Sequence, residues 1–237
     1  MSHLHFTSTE EYRKRVIQLG EQPDRVFYVG AIGVENTKQV PLMTKTEIEE
    51  NLGFKLDKNT VLATYHPVTN DVNNVNDFFK ALDDAKDLRI LFTMPNSDTG
   101  GQVIVDKINQ FVAHNQDRSI AFKSLGMKRY LSVLQYVGAV IGNSSSGLVE
   151  VPSFHIPTLN IGSRQQGRMA GESIVHCAAD YSSIKKGLHE IFSSEVQHRV
   201  GMAYNPYEKA GTAKTIFELI KNHPLDNITL KHFYDIR

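Results

Sequence analysis

Short apolar runs alternate with helical patterns along most of the chain. The apolar runs predict strands at 25–34, 61–67, 88–96, 119–125, 138–143 and 157–162. Helical periodicity between them predicts helices at 75–86, 100–115, 129–137 and 147–154. Strands that alternate with helices pair in parallel and are covered on both faces. The pattern therefore predicts an α/β fold with a doubly wound parallel sheet.

The two ends of the chain have a different pattern. Residues 1–33 predict a strand, a helix and a strand, and the polar stretch 34–60 predicts a linker with one helix. Near the other end a helix is expected from about Gly211 to Asn222, because Pro224 stops it.

Charge and composition exclude several classes of partner. Lys+Arg and Asp+Glu number 26 each, so the formal net charge is zero and a broad surface for nucleic acid or an anionic membrane is not expected. No apolar run reaches the roughly 18–20 residues of a membrane span, and the first residues are too polar for a signal peptide. We therefore predict a cytoplasmic protein with no nucleic-acid or membrane partner.

Cysteine and histidine usage excludes a disulfide framework and gives no sign of a metal site. The single cysteine, Cys177, cannot form an intrachain disulfide, fits a reducing compartment, and is interpreted as a small buried thiol. The ten histidines lack the spacing of metal ligands, so no metal is predicted.

Polar residues that could bind a ligand or take part in catalysis lie where predicted strands end. They are His66, Asn96 with Asp98, the stretch Asn143–Ser146, and Arg164. Ligands of doubly wound sheets bind beyond the carboxyl ends of the strands. This clustering predicts a site at that edge.

The stretch GNSSSG, residues 142–147, joins a predicted strand to a predicted helix. Its small residues leave backbone N–H groups and three hydroxyls accessible, which suits a phosphate. A serine-rich helix N-cap fits the same residues. The stretch lacks the lysine of a Walker A loop and the GxGxxG spacing, so it does not predict a classical ATP or NAD loop.

Other candidates each have a functional and a structural interpretation. Glu150, one helical turn after the serines, can accept hydrogen bonds from a ribose or can be a surface glutamate. Arg164 and Arg168 suit a diphosphate or lie solvated in a loop. His66 can be an acid, a phosphate donor or a loop residue, and Asp98 a ligand contact or an N-cap. The pattern indicates a nucleotide-diphosphate site more clearly than a reaction.

Several motifs in this order resemble the hydrolysing UDP-N-acetylglucosamine 2-epimerases, in the branch that feeds sialic and legionaminic acid-type sugars. The motifs are TYHP, MPNSDTGG, VIGNSSSGLVEVPSFHIPTLNIGSRQQGR and NPY…G, within roughly His5 to Thr215. The resemblance implies the C-terminal Rossmann-like domain of a GT-B fold. It implies that residues 1–40 are a remnant of the N-terminal domain with a linker. Residues 41–237 would then be the UDP-binding domain with its C-terminal helix.

The resemblance also implies roles for individual residues. Ser144 and Ser145 would hold the diphosphate, and Arg164 would approach it. Glu150 would hold the ribose, and Tyr130 would lie beside the uracil. His66 would contact the phosphate or sugar, and Asn96 and Asp98 would line the sugar side. The expected site also includes Asn143, Ser146, Gly147 and Arg168, with His66 as the catalytic candidate. The implied partners are UDP-N-acetylglucosamine or a related UDP-sugar, and UDP, with no cofactor. A homo-oligomer is expected.

In the resembled family the C2 proton is removed with loss of UDP, and water then adds to the glycal. The groups that handle C2 would lie largely in the N-terminal half. Gln102 stands where some relatives carry lysine, and YEKAGT is longer than the usual stretch. Two alternatives stay open: a UDP-sugar glycosyltransferase domain, and a UDP-sugar-binding fragment without turnover.

Overall fold

The computed structural model describes residues 2–68, 74–96, 100–224, 226, 228 and 230–235. The helices and strands in chain order are β1 (His5–Thr7), α1 (Glu10–Gln18), β2 (Val26–Tyr28), α2 (Ile32–Gln39), α3 (Lys45–Leu52), β3 (Thr60–Thr64), α4 (Asn74–Asp84), β4 (Arg89–Thr93), α5 (Gly101–His114), β5 (Ser119–Phe122), α6 (Gly126–Leu134), β6 (Ala139–Gly142), α7 (Ser146–Val149), β7 (Thr158–Ile161), β8 (Ile174–Cys177), α8 (Tyr181–Ile191), α9 (Ser194–Met202) and α10 (Thr212–Asn222). They form two compact units, residues 1–39 with 205–237, and residues 40–204.

The larger unit contains a six-stranded sheet in the order β5-β4-β3-β6-β7-β8. All five strand pairs are parallel. The chain moves outward from β3 to β5, and β6 then returns to the other side of β3. The strand order therefore reverses between β3 and β6, which is the place where such sheets bind ligands.

The core lies on both faces of this sheet, because successive strand residues point in opposite directions. Val61 and Ala63 of β3 face the cluster built from α4, α5, α8 and α9, whereas Leu62 faces the cluster that includes residues of α3 and α6. Ile104 and Ile108 are fully buried on one face of α5. The doubly wound parallel sheet predicted from the sequence is confirmed.

The smaller unit holds the parallel pair β1–β2 with α1, α2 and α10. The hydroxyl of Thr212, at the start of α10, donates to the Val29 carbonyl at 2.7 Å. The next N–H, of Ala213, donates to Glu35 of α2 at 2.8 Å. This grouping differs from the predicted division, which joined the C-terminal helix to residues 41–204.

Local backbone chemistry explains where elements differ from the sequence prediction. The predicted strand 25–34 ends at Tyr28, since Gly30 has a φ of 87° and α2 starts at Ile32. The predicted helix 147–154 is one α-helical turn, Ser146–Val149, and a 3₁₀ turn, Val151–Phe154. Pro152 has no N–H to continue an α-helix, which accounts for the division.

Other elements differ from the sequence prediction in position, or were not predicted. The helix predicted at 129–137 begins and ends three residues earlier, at Gly126–Leu134. Strand β8 was not predicted, because it contains only two buried apolar residues before His176 and Cys177. Among the described residues, no helix combines the length and the apolar character needed to cross a membrane.

Candidate functional site

The side chain of Asn143 joins the ends of β3 and β6 at the point where the strand order reverses. Its Oδ1 accepts from the His66 backbone N–H at 2.7 Å, and its Nδ2 donates to the His66 carbonyl at 2.9 Å. The residue is 1% exposed. Buried in this way, the amide continues the strand ladder for one more pair and holds His66 beside the serine turn, residues 144–146.

Gly142, the last residue of β6, allows the two strands to approach at this edge. Its φ is 127°, and a Cβ atom there would lie 1.9 Å from the Thr64 carbonyl oxygen. Gly147, predicted as a ligand contact, is buried for a packing reason. A Cβ on Gly147 would lie 2.8 Å from the Thr158 methyl group, and the Thr158 hydroxyl donates to the Gly147 carbonyl at 2.9 Å.

The serine turn presents three consecutive backbone N–H groups. Those of Ser144, Ser145 and Ser146 have no acceptor within the described part of the chain, whereas Gly147 N–H bonds back to Ser144 O at 3.2 Å. All three serines are half-buried. Because α7 has only four residues, its dipole is small, and local N–H groups and hydroxyls are what the turn offers an anion.

Tyr130, Ser146 and Glu150 form one hydrogen-bonded group beside the turn. The Tyr130 hydroxyl lies 2.6 Å from Ser146 Oγ, and the Ser146 hydroxyl also bonds the Glu150 carboxylate. Burial raises the pKa of Glu150, and the Ser146 hydroxyl opposes that rise. Burial, with the nearby Glu150 charge, also raises the pKa of Tyr130, so its hydroxyl keeps its proton and donates.

His66 and Asn96 meet at the ends of β3 and β4. The Asn96 backbone N–H donates to His66 Nδ1 at 3.4 Å, so in the neutral ring the proton lies on Nε2. His66 is 6% exposed, while Asn96 is exposed. The structure thus brings both predicted residues to the edge that carries Asn143. Asp98 lies outside the described residues.

Arg164 and Gln165 contact the turn from the loop after β7. The Asn143 carbonyl accepts from Arg164 Nη1 at 3.1 Å and from Gln165 Nε2 at 2.8 Å. Arg164 is exposed, and its remaining N–H groups can reach an anion on the turn. Gln165 is 3% exposed and was missed from the sequence, which gave no sign that this loop residue is buried.

Arg168 was predicted beside Arg164 but has different surroundings. It lines a cavity of about 580 Å³ at the ends of β7 and β8. No hydrogen bond joins it to the serine turn in the described part of the chain. Arg164 therefore lies at the serine turn, whereas Arg168 lies at the cavity beside β7 and β8.

Cys177 also lines this cavity, half-buried rather than fully buried as the sequence suggested. Burial raises the pKa of its thiol to about 12, so the thiol stays protonated near neutral pH. The described residues contain no group of three or more His, Cys, Asp or Glu side chains suited to hold a metal ion.

Comparison with known sequences gives matches along nearly the whole chain. A family profile described as UDP-N-acetylglucosamine 2-epimerase matches residues 1–221. The GDP/UDP-N,N'-diacetylbacillosamine 2-epimerase (hydrolyzing) of Campylobacter jejuni is 36% identical, over 100% of this chain and 62% of its own length. Polysialic acid biosynthesis protein P7 of Escherichia coli is 38% identical, over 100% of this chain and 61% of its own length. The chain thus spans about three fifths of these relatives.

Comparison with solved structures shows a shared fold. The structure of MnaA from S. aureus with UDP matches with a TM-score of 0.76 and 21% identity, covering 99% of this chain and 64% of that one. The likeness confirms the predicted fold class, a Rossmann-like α/β sheet of the GT-B type.

Proposed function

We propose that this chain, which belongs to the UDP-N-acetylglucosamine 2-epimerase family, carries the UDP-binding part of a hydrolysing 2-epimerase. The substrate would be UDP-N-acetylglucosamine or a related UDP-sugar. The products would be UDP and a free N-acetylmannosamine-type sugar.

The observation that carries the proposal is the serine turn beside Arg164. Three N–H groups without acceptors in the described residues, two serine hydroxyls and a guanidinium converge on one strand edge. A diphosphate supplies several anionic oxygens for such donors, and hydrogen bonds to charged groups contribute about 1.5–3 kcal/mol each.

The nucleoside would lie toward Tyr130 and Glu150. Glu150 is a carboxylate next to the turn, and carboxylates accept hydrogen bonds from ribose hydroxyls. Tyr130 offers an aromatic ring for the uracil, and its hydroxyl is already held by Ser146 at 2.6 Å. Both residues support one orientation of UDP, with its base near Tyr130, its ribose near Glu150 and its diphosphate on the serine turn at the end of β6.

The reaction needs stabilisation of departing UDP, whose oxygen gains negative charge as the C1–O bond breaks. N–H groups and a guanidinium already oriented in the folded protein stabilise that charge without reorganising. His66 would lie on the β3 side of the departing UDP, where Asn143 fixes its backbone.

The proposal predicts a specific pattern of UDP affinity, measured by isothermal titration calorimetry. Arg164→Met is expected to raise the Kd for UDP by about tenfold or more, the effect of losing one charge-assisted hydrogen bond. Ser145→Ala is expected to raise it by about threefold, because only a hydroxyl is lost. Arg15→Met removes an exposed arginine of the smaller unit and is the matched control, with no change expected. Equal affinity in Arg164→Met and its control would contradict a diphosphate site at the turn.

The proposed function and the two alternatives differ in the conditions under which UDP is released. A hydrolysing epimerase releases UDP from UDP-N-acetylglucosamine with water alone, a glycosyltransferase requires a sugar acceptor, and a binding fragment releases none. Chromatography of UDP with and without acceptor sugars separates them. Self-association and a cytoplasmic location remain predictions from the sequence.

A further inference from the structure

The peptide bond between Asn143 and Ser144 carries the first N–H group of the serine turn. A trans peptide is planar, and its C=O and N–H groups point in opposite directions. No peptide bond among the described residues is cis. Whatever holds the Asn143 carbonyl therefore also sets the direction in which the Ser144 N–H points.

Most of Asn143 is fixed by contacts with β3 and the residues that follow it. Its backbone N–H donates to the Thr64 carbonyl at 3.1 Å, and its side chain makes paired hydrogen bonds to the His66 backbone. These contacts fix the Cα atom and the side chain but leave rotation about ψ, which turns the next peptide plane as a unit. The contacts of the Asn143 carbonyl therefore decide how that plane is oriented.

This carbonyl accepts from two side chains of the loop after β7, and the two differ in burial. Gln165 is 3% exposed, and its Nε2 lies 2.8 Å from the carbonyl oxygen. Arg164 is exposed, and its Nη1 lies at 3.1 Å. A carbonyl can only accept, so the nitrogen end of the Gln165 amide must face it. Because a buried side chain has lost its rotamer freedom, Gln165 holds the peptide plane more firmly than the exposed arginine does.

The other two N–H groups of the turn are oriented by the start of α7. The Ser144 carbonyl accepts from the Gly147 N–H at 3.2 Å. The Ser145 carbonyl accepts from the Leu148 N–H at 3.0 Å. By the same peptide geometry these two bonds direct the N–H groups of Ser145 and Ser146. The first N–H of the turn thus depends on the loop after β7, and the next two depend on the short helix.

Glutamine at position 165 destabilises the chain at one of its two polar atoms. The Oε1 atom of Gln165 is buried and makes no hydrogen bond with the described residues. A buried acceptor without a donor is unfavourable, and a methionine would fill similar space without it. Stability alone therefore favours another residue here, and what glutamine provides is the contact with the Asn143 carbonyl.

We propose that Gln165 is a positioning residue, which holds the peptide bond after Asn143 so that the Ser144 N–H is directed at a phosphate of UDP. The inference rests on the proposed function, because it requires the diphosphate to lie on the serine turn. Gln165 acts through the peptide bond and not by touching the ligand. As UDP departs, a Ser144 N–H held in this way stabilises the charge on its phosphate without a rotation of the backbone.

The test replaces Gln165 by methionine and follows UDP binding to the whole chain. Gln165→Met removes the donor to the Asn143 carbonyl at similar length. Gln166→Met makes the same change at the next residue, which is exposed, and is the matched control. Calorimetry gives the Kd for UDP, and urea unfolding gives the stability. ¹⁵N–¹H spectra give the shift of each serine amide when UDP is added.

Gln165→Met is expected to raise the Kd for UDP about fivefold, since one N–H bond to phosphate is weakened rather than lost. The shift that UDP induces at the Ser144 amide should shrink, while the shifts at Ser145 and Ser146 persist. The urea midpoint should stay close to that of the control, because the unpaired Oε1 leaves together with the donor. A wild-type Kd with a wild-type Ser144 shift would overturn the inference, and a lower midpoint beside them would indicate a merely structural role.

A measurement on the wild-type chain keeps the inference testable even where Gln165→Met fails to fold. With UDP bound, NMR coupling through the hydrogen bond is expected between Nε2 of Gln165 and the Asn143 carbonyl carbon. The bond from the Asn143 N–H to the Thr64 carbonyl is the reference in the same spectrum. Detection of the reference coupling without the Gln165 coupling would overturn the inference and leave the proposed function standing. Absence of UDP binding by the wild-type chain would contradict the proposed function and this inference with it.

Discussion

Gly142→Ala is expected to lower the free energy of unfolding of the chain by about 4 kcal/mol. The new Cβ would meet the Thr64 carbonyl oxygen at 1.9 Å, so β3 and β6 would have to separate at the site. Overpacking of this kind costs about 1–3 kcal/mol, and a positive φ adds about 1–2 kcal/mol for a residue with a side chain. That sum is a large part of the roughly 5–15 kcal/mol that stabilises a folded protein. Urea unfolding followed by circular dichroism measures it.

Gly53→Ala is the matched control for the backbone part of this effect. Gly53 has a φ of 62° and no atom within 4 Å of a built Cβ, so only conformational strain of about 1 kcal/mol is expected. If the two variants lost equal stability, the close approach of β3 and β6 would not be what requires glycine at residue 142.

Asn143→Asp is expected to destabilise the larger unit by about 3 kcal/mol at pH 8. One carboxylate oxygen still accepts from the His66 N–H, but the other takes the place of Nδ2 and faces the His66 carbonyl without a proton. Truncating one partner of a buried polar pair costs roughly this amount. A protonated aspartic acid can donate to that carbonyl, so the native state favours the acid and its pKa there is raised. The loss should therefore be smaller at pH 5 than at pH 8.

The control for this change is Asn59→Asp, which makes the same substitution at an exposed position. A change within about 0.5 kcal/mol and little dependence on pH are expected there. An Asn143→Asp variant as stable as the wild type at pH 8 would mean that the paired hydrogen bonds to His66 do not hold the edge together.

The sequence was sufficient for five of the six strands of the larger sheet and for the edge that carries the candidate site. Alternation of apolar runs with helical periodicity specifies parallel strands, and the ends of such strands share one edge. His66, Asn96 and Asn143 could therefore be expected near one another, and the structure brings them together.

The rest depends on contacts between residues far apart in the chain. The amide pairing of Asn143 with His66 spans 77 positions, and no periodicity encodes it. Whether Arg168 points to the turn or to the neighbouring cavity depends on the loop after β7, whose path follows from burial of Gln165. Strand β8, which completes that cavity, is too short for its pattern to be recognised.

The central claim is that the serine turn holds the diphosphate of UDP, and a ¹⁵N–¹H NMR titration of the chain with UDP tests it most directly. The account predicts that the amide signals of Ser144, Ser145 and Ser146 shift most, because their N–H groups donate to phosphate oxygens. Smaller changes are expected at Glu150. Saturable binding of UDP that leaves these three amides unmoved and shifts another part of the chain would contradict the account.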